Sequence, residues 1–171
     1  MLNKNRIALL LTAFFSAVIF TGCVPSNLHR GDTIAQGSNI VFFRVILKGD
    51  KVSELFIRQK GNWWRGAGRI VTAAGDSVYA IALPEDRYEM AQIKSTKRRN
   101  EIFKSGSLPV FTTKNGYINY AGTYTVTVSW TEYRISCAYD EESYWEAVNM
   151  FCESRPEFSK QYPFRNAVSP E

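Results

Sequence analysis

The chain has 171 residues, of which 45% are hydrophobic, 14% aromatic and 22% charged, with a net charge of +5. That balance excludes a disordered chain, a collagen-like repeat and a polytopic membrane protein, and the length suits one domain. Without Lys4 and Arg6, which precede a long apolar run, 19 basic residues face 16 acidic ones, too small an excess for the basic stripe of a nucleic-acid binder.

Residues 1–6 are basic, and the 14 residues from Ile7 to Phe20 are apolar apart from Thr12 and Ser16. A basic start and a short apolar run form the pattern of a secretory signal peptide. The run is too short to span the membrane, which takes ~20 residues. It ends in Phe20-Thr21-Gly22-Cys23, which resembles the bacterial lipoprotein signal: a large apolar residue and two small ones before a Cys. The resemblance implies that the Cys23 thiol accepts a diacylglyceryl group. Cleavage then follows Gly22, and the new α-amine is acylated. Val24, standing where an Asp favours inner-membrane retention, implies the outer membrane and its periplasmic face. Two or more acyl chains hold a protein stably, at ~0.8 kcal/mol per buried CH₂. On this reading 1–22 is a removed signal peptide and 23–38 a lipidated tether. The tether contains Pro25, Ser26, Asn27, Gly31, Gly37 and Ser38, a composition that stays extended. Residues 39–155 form the domain and 156–171 a C-terminal tail.

From Ile40 the pattern is β. Ile40 to Leu47 is a continuous Val/Ile/Phe run broken by Arg44, consistent with a core strand. Val52 to Gln59 is a second strand, ended by Gly61-Asn62. Arg69 to Thr72 is short and β-like. Val78, Ala80 and Ala82 alternate with Tyr79, Ile81 and Leu83, and a turn at Pro84-Glu85-Asp86 leads into a strand from Arg87 to Ile93. Lys94 to Gly106 is polar and basic, a long loop or exposed hairpin. Val110 to Thr113 is β-like, and Tyr117 to Trp130 holds the longest alternating stretch. Short strands at this spacing predict a mainly β fold, an antiparallel sandwich or barrel. One helix follows. Asp140 caps it, Glu141 and Glu142 suit its first turn, and Tyr144, Val148, Phe151 and Cys152 share one face. The tail carries Pro163 and Pro170 and docks through Tyr162 or Phe164 before fraying.

Cys137 and Cys152 remain once Cys23 is assigned to lipid. In an oxidising compartment an even pair predicts a disulfide, closing a loop of about 15 residues and worth ~3 kcal/mol. Two buried free thiols acting as small apolar residues are the alternative.

Two segments, Leu83-Pro84-Glu85-Asp86-Arg87-Tyr88 and Asn115-Gly116-Tyr117-Ile118-Asn119-Tyr120-Ala121-Gly122-Thr123, are similar to motifs of a family of small, mostly uncharacterised bacterial lipoproteins with a single β-sandwich domain. In that family a strand ends in Leu-Pro, a Pro-Gly-type turn follows, and an Arg-Tyr-like pair opens the next strand; here Glu85-Asp86 stands at the turn. Ile118, Tyr120 and Gly122 match a Gly-x-Val-x-Tyr-x-Gly strand. The resemblance covers about residues 40–130. It implies an Ig-like or transthyretin-like antiparallel β-sandwich and carries no catalytic residues.

The remaining chemistry is sparse. The single histidine, His29, lies in the tether, away from any His-dependent triad or zinc site in the domain. Gly66-Ala67-Gly68 lacks the third glycine of a dinucleotide fingerprint, with Val71 in its place. No metal site and no cofactor are expected. Asp50, Glu54, Asp76, Glu85, Asp86, Glu89 and Glu132 supply carboxylates, and a hydrolase would need two of them across one cleft. Trp63 and Trp64, beside Arg65, offer an aromatic platform. Lys94, Lys97, Arg98, Arg99 and Lys104 form a basic cluster able to meet anionic head groups. The expected role is a non-enzymatic adaptor or envelope accessory, anchored by lipid at Cys23 and acting through protein or glycan contact, with no nucleic-acid partner. A module binding peptidoglycan or lipopolysaccharide through Trp63 or Trp64 is one alternative, and a carboxylate-dependent hydrolase the other.

Overall fold

The computed structural model describes residues 27–29, 31–49, 52–61, 66–72, 75–95, 102–104, 108–128 and 133–169. In chain order the strands are β1 (Ser38–Gly49), β2 (Val52–Gln59), β3 (Gly66–Val71), β4 (Gly75–Pro84), β5 (Arg87–Ser95), β6 (Ile102–Lys104), β7 (Val110–Thr112), β8 (Ile118–Val128) and β9 (Tyr133–Ala138). Helices α1 (Glu141–Ser154) and α2 (Pro156–Ser159) follow, then the short strands β10 (Phe164–Asn166) and β11 (Val168–Ser169). The protein is mainly β, with two sheets and a C-terminal helix packed on one of them.

The first sheet places β1 between β4 and β8, with β9 and β10 on the far side of β8. β1 runs antiparallel to β4 and parallel to β8. The second sheet orders β11, β7, β5, β2 and β3, with β6 also on β5. The β5–β6 pair makes the Lys94 region a hairpin. β9, α2, β10 and β11 are absent from the sequence reading. Their segments are two to four residues of mixed polarity, or sit directly behind a longer β run, and only their partners give them a period.

Alternation along β1 splits its side chains between two cores. Val41, Phe43 and Val45 join Leu55, Ile57, Ile70, Met90 and Phe111 between the sheets. Ile40 and Phe42 join Ala147, Val148 and Phe151 of α1 on the other face. Neighbouring rings therefore work in opposite directions. Phe43 meets Phe111 edge-on at 5.5 Å, and Phe42 meets Phe151 at 4.8 Å. β4 sorts likewise. Tyr79, Ile81 and Leu83 enter the inter-sheet core, while the smaller Val78, Ala80 and Ala82 let the helix side approach closely. α1 starts as predicted, with the Ser143 amide donating to Asp140 Oδ1 at 2.9 Å. That bond holds the Asp140 carboxyl below its ordinary range.

Two boundaries move. Leu28 and Ile34, in the segment expected to stand off as tether, pack on the domain: Leu28 is buried in the helix-side core and its amide donates to Ala80 O at 2.6 Å. The expected tail is also structural. Phe158 is buried beside α1, and the chain crosses from the first sheet to the second at Ala167. The Ala167 amide donates to Tyr120 O, and its carbonyl accepts from the Thr112 amide, both at 2.9 Å.

The β4–β5 corner is held by Thr113, which is buried. Its hydroxyl donates to Pro84 O at 2.7 Å and accepts from the Asp86 amide at 2.8 Å. Tyr88 donates back to Pro84 O at 3.1 Å, a tyrosine closing its own corner. In β8 the register against β1 shifts between Phe42 and Arg44. The extra residue is accommodated at Gly122, whose φ is +112. A Cβ there would sit 2.5 Å from Cys137 Sγ. Gly122→Ala therefore combines left-handed strain with overpacking and should cost about 3 kcal/mol. Urea denaturation will read this as a lowered midpoint, with Cys137→Ala recovering part of the loss in the double variant.

Candidate functional site

Among the residues expected to carry function, Cys23, Trp63, Trp64, Arg65, Lys97, Arg98 and Arg99 lie outside the described residues.

The disulfide expected between Cys137 and Cys152 is not formed; both are free thiols. The reason is the layer between them. Cys137 points from β9 into the inter-sheet core, and Cys152 points from α1 into the helix-side core. The first sheet separates the two. Of the readings left open by sequence, the structure has the two apolar thiols. Burial pushes the Cys137 thiol up to about 12, only partly offset by the neighbouring Tyr124 hydroxyl.

The carboxylates do not converge on a cleft either. Asp76 takes two bonds from Arg44, Nε to Oδ1 at 3.0 Å and Nη2 to Oδ2 at 2.8 Å. Glu146 of α1 accepts from the same guanidinium. The Asp76 bonds, then Glu146, hold Arg44 firmly protonated. This node ties β1, β4 and α1 together, and its signal in the sequence was a lone Arg inside an apolar run. Glu85 and Asp86 belong to the corner: Glu85 accepts from the Asn115 amide at 3.2 Å, and Asp86 accepts from Gln59. His29 is exposed, its amide donating to Asp32. Among the described residues no group of three metal-binding side chains assembles.

What the fold does assemble is two charged faces. On the outward side of the second sheet, opposite Leu55 and Ile57, each of two carboxylates sits between two cations. Glu89 pairs with Arg58 and with Lys60 at 3.5 Å. Glu54 pairs with Arg69 at 3.4 Å and Lys94 at 3.7 Å. Exposed Arg87 adds a fifth cation. Exposed pairs of this kind contribute little stability; their effect is a surface with more positive than negative charge. The opposite side of the molecule is the outer face of α1. It presents Glu141, Glu142, Glu146 and Glu153, and the helix contains no basic residue. On the flank of that face stands Trp145, 53% exposed, its ring 5.0 Å from Tyr144. Sequence reading looked for an aromatic platform at Trp63-Trp64 and passed over Trp145. Its position, one residue off the apolar stripe of α1, was the available signal.

No family model, curated protein or solved structure matches this chain.

The buried thiol carries a measurable pH signature. Unfolded Cys releases its proton near pH 9, whereas folded Cys137 keeps it until about 12. The folded state thus binds more protons across that window, and stability should fall as pH rises through it, by up to about 4 kcal/mol from this group. Denaturation at pH 8 and pH 11 will show the drop, and Cys137→Ala will shrink it. At pH 8 the native Cys137 should react with iodoacetamide roughly 1,000-fold more slowly than an ordinary thiol.

Proposed function

We propose that this chain is a lipid-anchored protein of the outer membrane, facing the periplasm, that acts as a non-enzymatic adaptor. The observation that carries the adaptor reading is Trp145, more than half exposed at the flank of an acidic helix face. A large ring left in solvent does little for the fold, and exposed Trp residues are favoured as anchors at the centre of protein contacts. The basic face of the second sheet lies on the far side, so two partners of opposite charge can be engaged without overlap. Five of the carboxylates available to a hydrolase, Glu54, Asp76, Glu85, Asp86 and Glu89, are committed to ion pairs or to the corner, which favours an adaptor over an enzyme.

The anchor rests on the residues before Cys23 and on Cys23 itself. Among the described residues no helix is long and apolar enough to cross a membrane; in this reading acyl chains take that part. An Ig-like or transthyretin-like topology belongs to the same proposal. The Tyr88 corner supports it, as does the similarity of the Leu83–Tyr88 and Asn115–Thr123 segments to the lipoprotein family.

Intact mass of the membrane-extracted protein should match residues 23–171 plus acyl chains, and Cys23→Ala should move the protein to the soluble fraction. A photo-cross-linker placed at Trp145 should give a discrete protein adduct in cells. An unlipidated mass overturns the anchor. An anchored protein with no adduct at position 145 overturns the adaptor surface.

A further inference from the structure

The N-terminal segment reaches the domain earlier than its composition suggests. Leu28 is 7% exposed within the helix-side core. Its amide donates to Ala80 O, on the β4 edge that β1 leaves open. Arg155, at the junction of α1 and α2, closes over it. Nε and Nη2 donate to Leu28 O at 3.4 and 3.2 Å, and Nη1 donates to Val78 O at 3.4 Å and to Ser154 Oγ at 3.1 Å. The guanidinium stacks 5.8 Å from the Phe151 ring. One charged fork thus joins the incoming chain, the sheet edge and the end of the helix. These bonds go to backbone carbonyls and a hydroxyl, so its fixed fork geometry is used for position.

Chain length turns this latch into a statement about orientation. A residue adds at most ~3.6 Å of reach, so the five steps from Cys23 to Leu28 span no more than ~18 Å. A tether free to Ser38 would have fifteen steps, or ~54 Å. A domain of this size is about 35–40 Å across. From a latched Leu28, the bilayer surface is out of reach of the opposite side of the domain. We infer that, given the lipid anchor at Cys23 proposed above, the Leu28–Arg155 latch makes the β4 edge and α2 the membrane-facing side of the domain. The lipid surface then meets Lys160 and the shallow cavity lined by Gly31, Pro156, Glu157 and Lys160. The opposite edge, at β7 and β11, stays clear of the head groups.

The test uses the full lipidated chain in vesicles of phosphatidylethanolamine and phosphatidylglycerol. Lys160→Cys and Ser169→Cys, the latter on β11 at the edge away from β4, are each labelled with a fluorophore, and energy transfer to a head-group dye is read. The label at 160 should transfer strongly and the label at 169 weakly. Leu28→Ser, or Arg155→Lys where the charge is kept but the fork is lost, should bring the two values together. Stronger transfer from 169, or a contrast that survives both substitutions, overturns the orientation. Amide exchange at Leu28 in the detergent-solubilised full chain tests the latch without the bilayer. The amide should be protected, and should exchange about tenfold faster in Arg155→Lys. A Leu28 amide that exchanges freely in the native chain overturns the latch. A mass without acyl chains leaves that exchange result standing and counts against the anchor alone.

Discussion

Strand β1 is buried on both faces and hydrogen-bonded along both edges, and most of the remaining structure answers to that constraint. A strand with apolar groups on both sides needs a layer on each. The second sheet covers Val41, Phe43 and Val45, and α1 covers Ile40 and Phe42. Where β1 carries a charge instead, the fold supplies two carboxylates, one from β4 and one from the helix. Removing either would leave a half-buried guanidinium short of partners, so the helix is held over the sheet by chemistry as well as by packing.

The parallel pairing of β1 with β8 sets the next level. Parallel neighbours need a long crossover, and here the crossover contains every strand of the second sheet except β11. The excursion leaves the first sheet after β4 through the corner at Pro84, where Thr113 and Tyr88 converge on one carbonyl. It returns through the turn that Asn119 braces, accepting from the Lys114 amide and donating to Tyr117 O. Both Thr113 and Asn119 are buried polar residues with partners, as interior polar groups require.

How far the sequence speaks depends on whether a segment carries its own period. β1, β4 and α1 do: an apolar run broken only at Arg44, an alternation of larger and smaller apolar residues, and a four-residue stripe. β10 and β11 do not, because Phe164–Asn166 and Val168–Ser169 become strands only by pairing with β8 and β7. Leu28 was hidden by its neighbours, since one apolar residue among Gly, Ser and Asn reads as linker until the β4 edge is known. The two thiols show the converse. Their spacing suited a loop closure, but pairing by spacing ignores which side of a sheet each residue takes. The charged faces were illegible for the same reason. Arg58, Lys60, Arg69 and Lys94 are scattered along 37 residues and meet only through strand pairing.

The C-terminal crossing has a consequence for the order in which the chain can become a body. Ile40 pairs with Ile118, and Ile118 with Phe164, while Ala167 stitches one sheet to the other. Contacts this distant in sequence form slowly, after loop closure has been paid for in entropy. Until the last strands emerge, the side of the sandwich at β7 and β8 is unsealed. A chain threaded end-first through a narrow pore would therefore stay pliable for nearly its whole passage, and would lock only once its final residues were through.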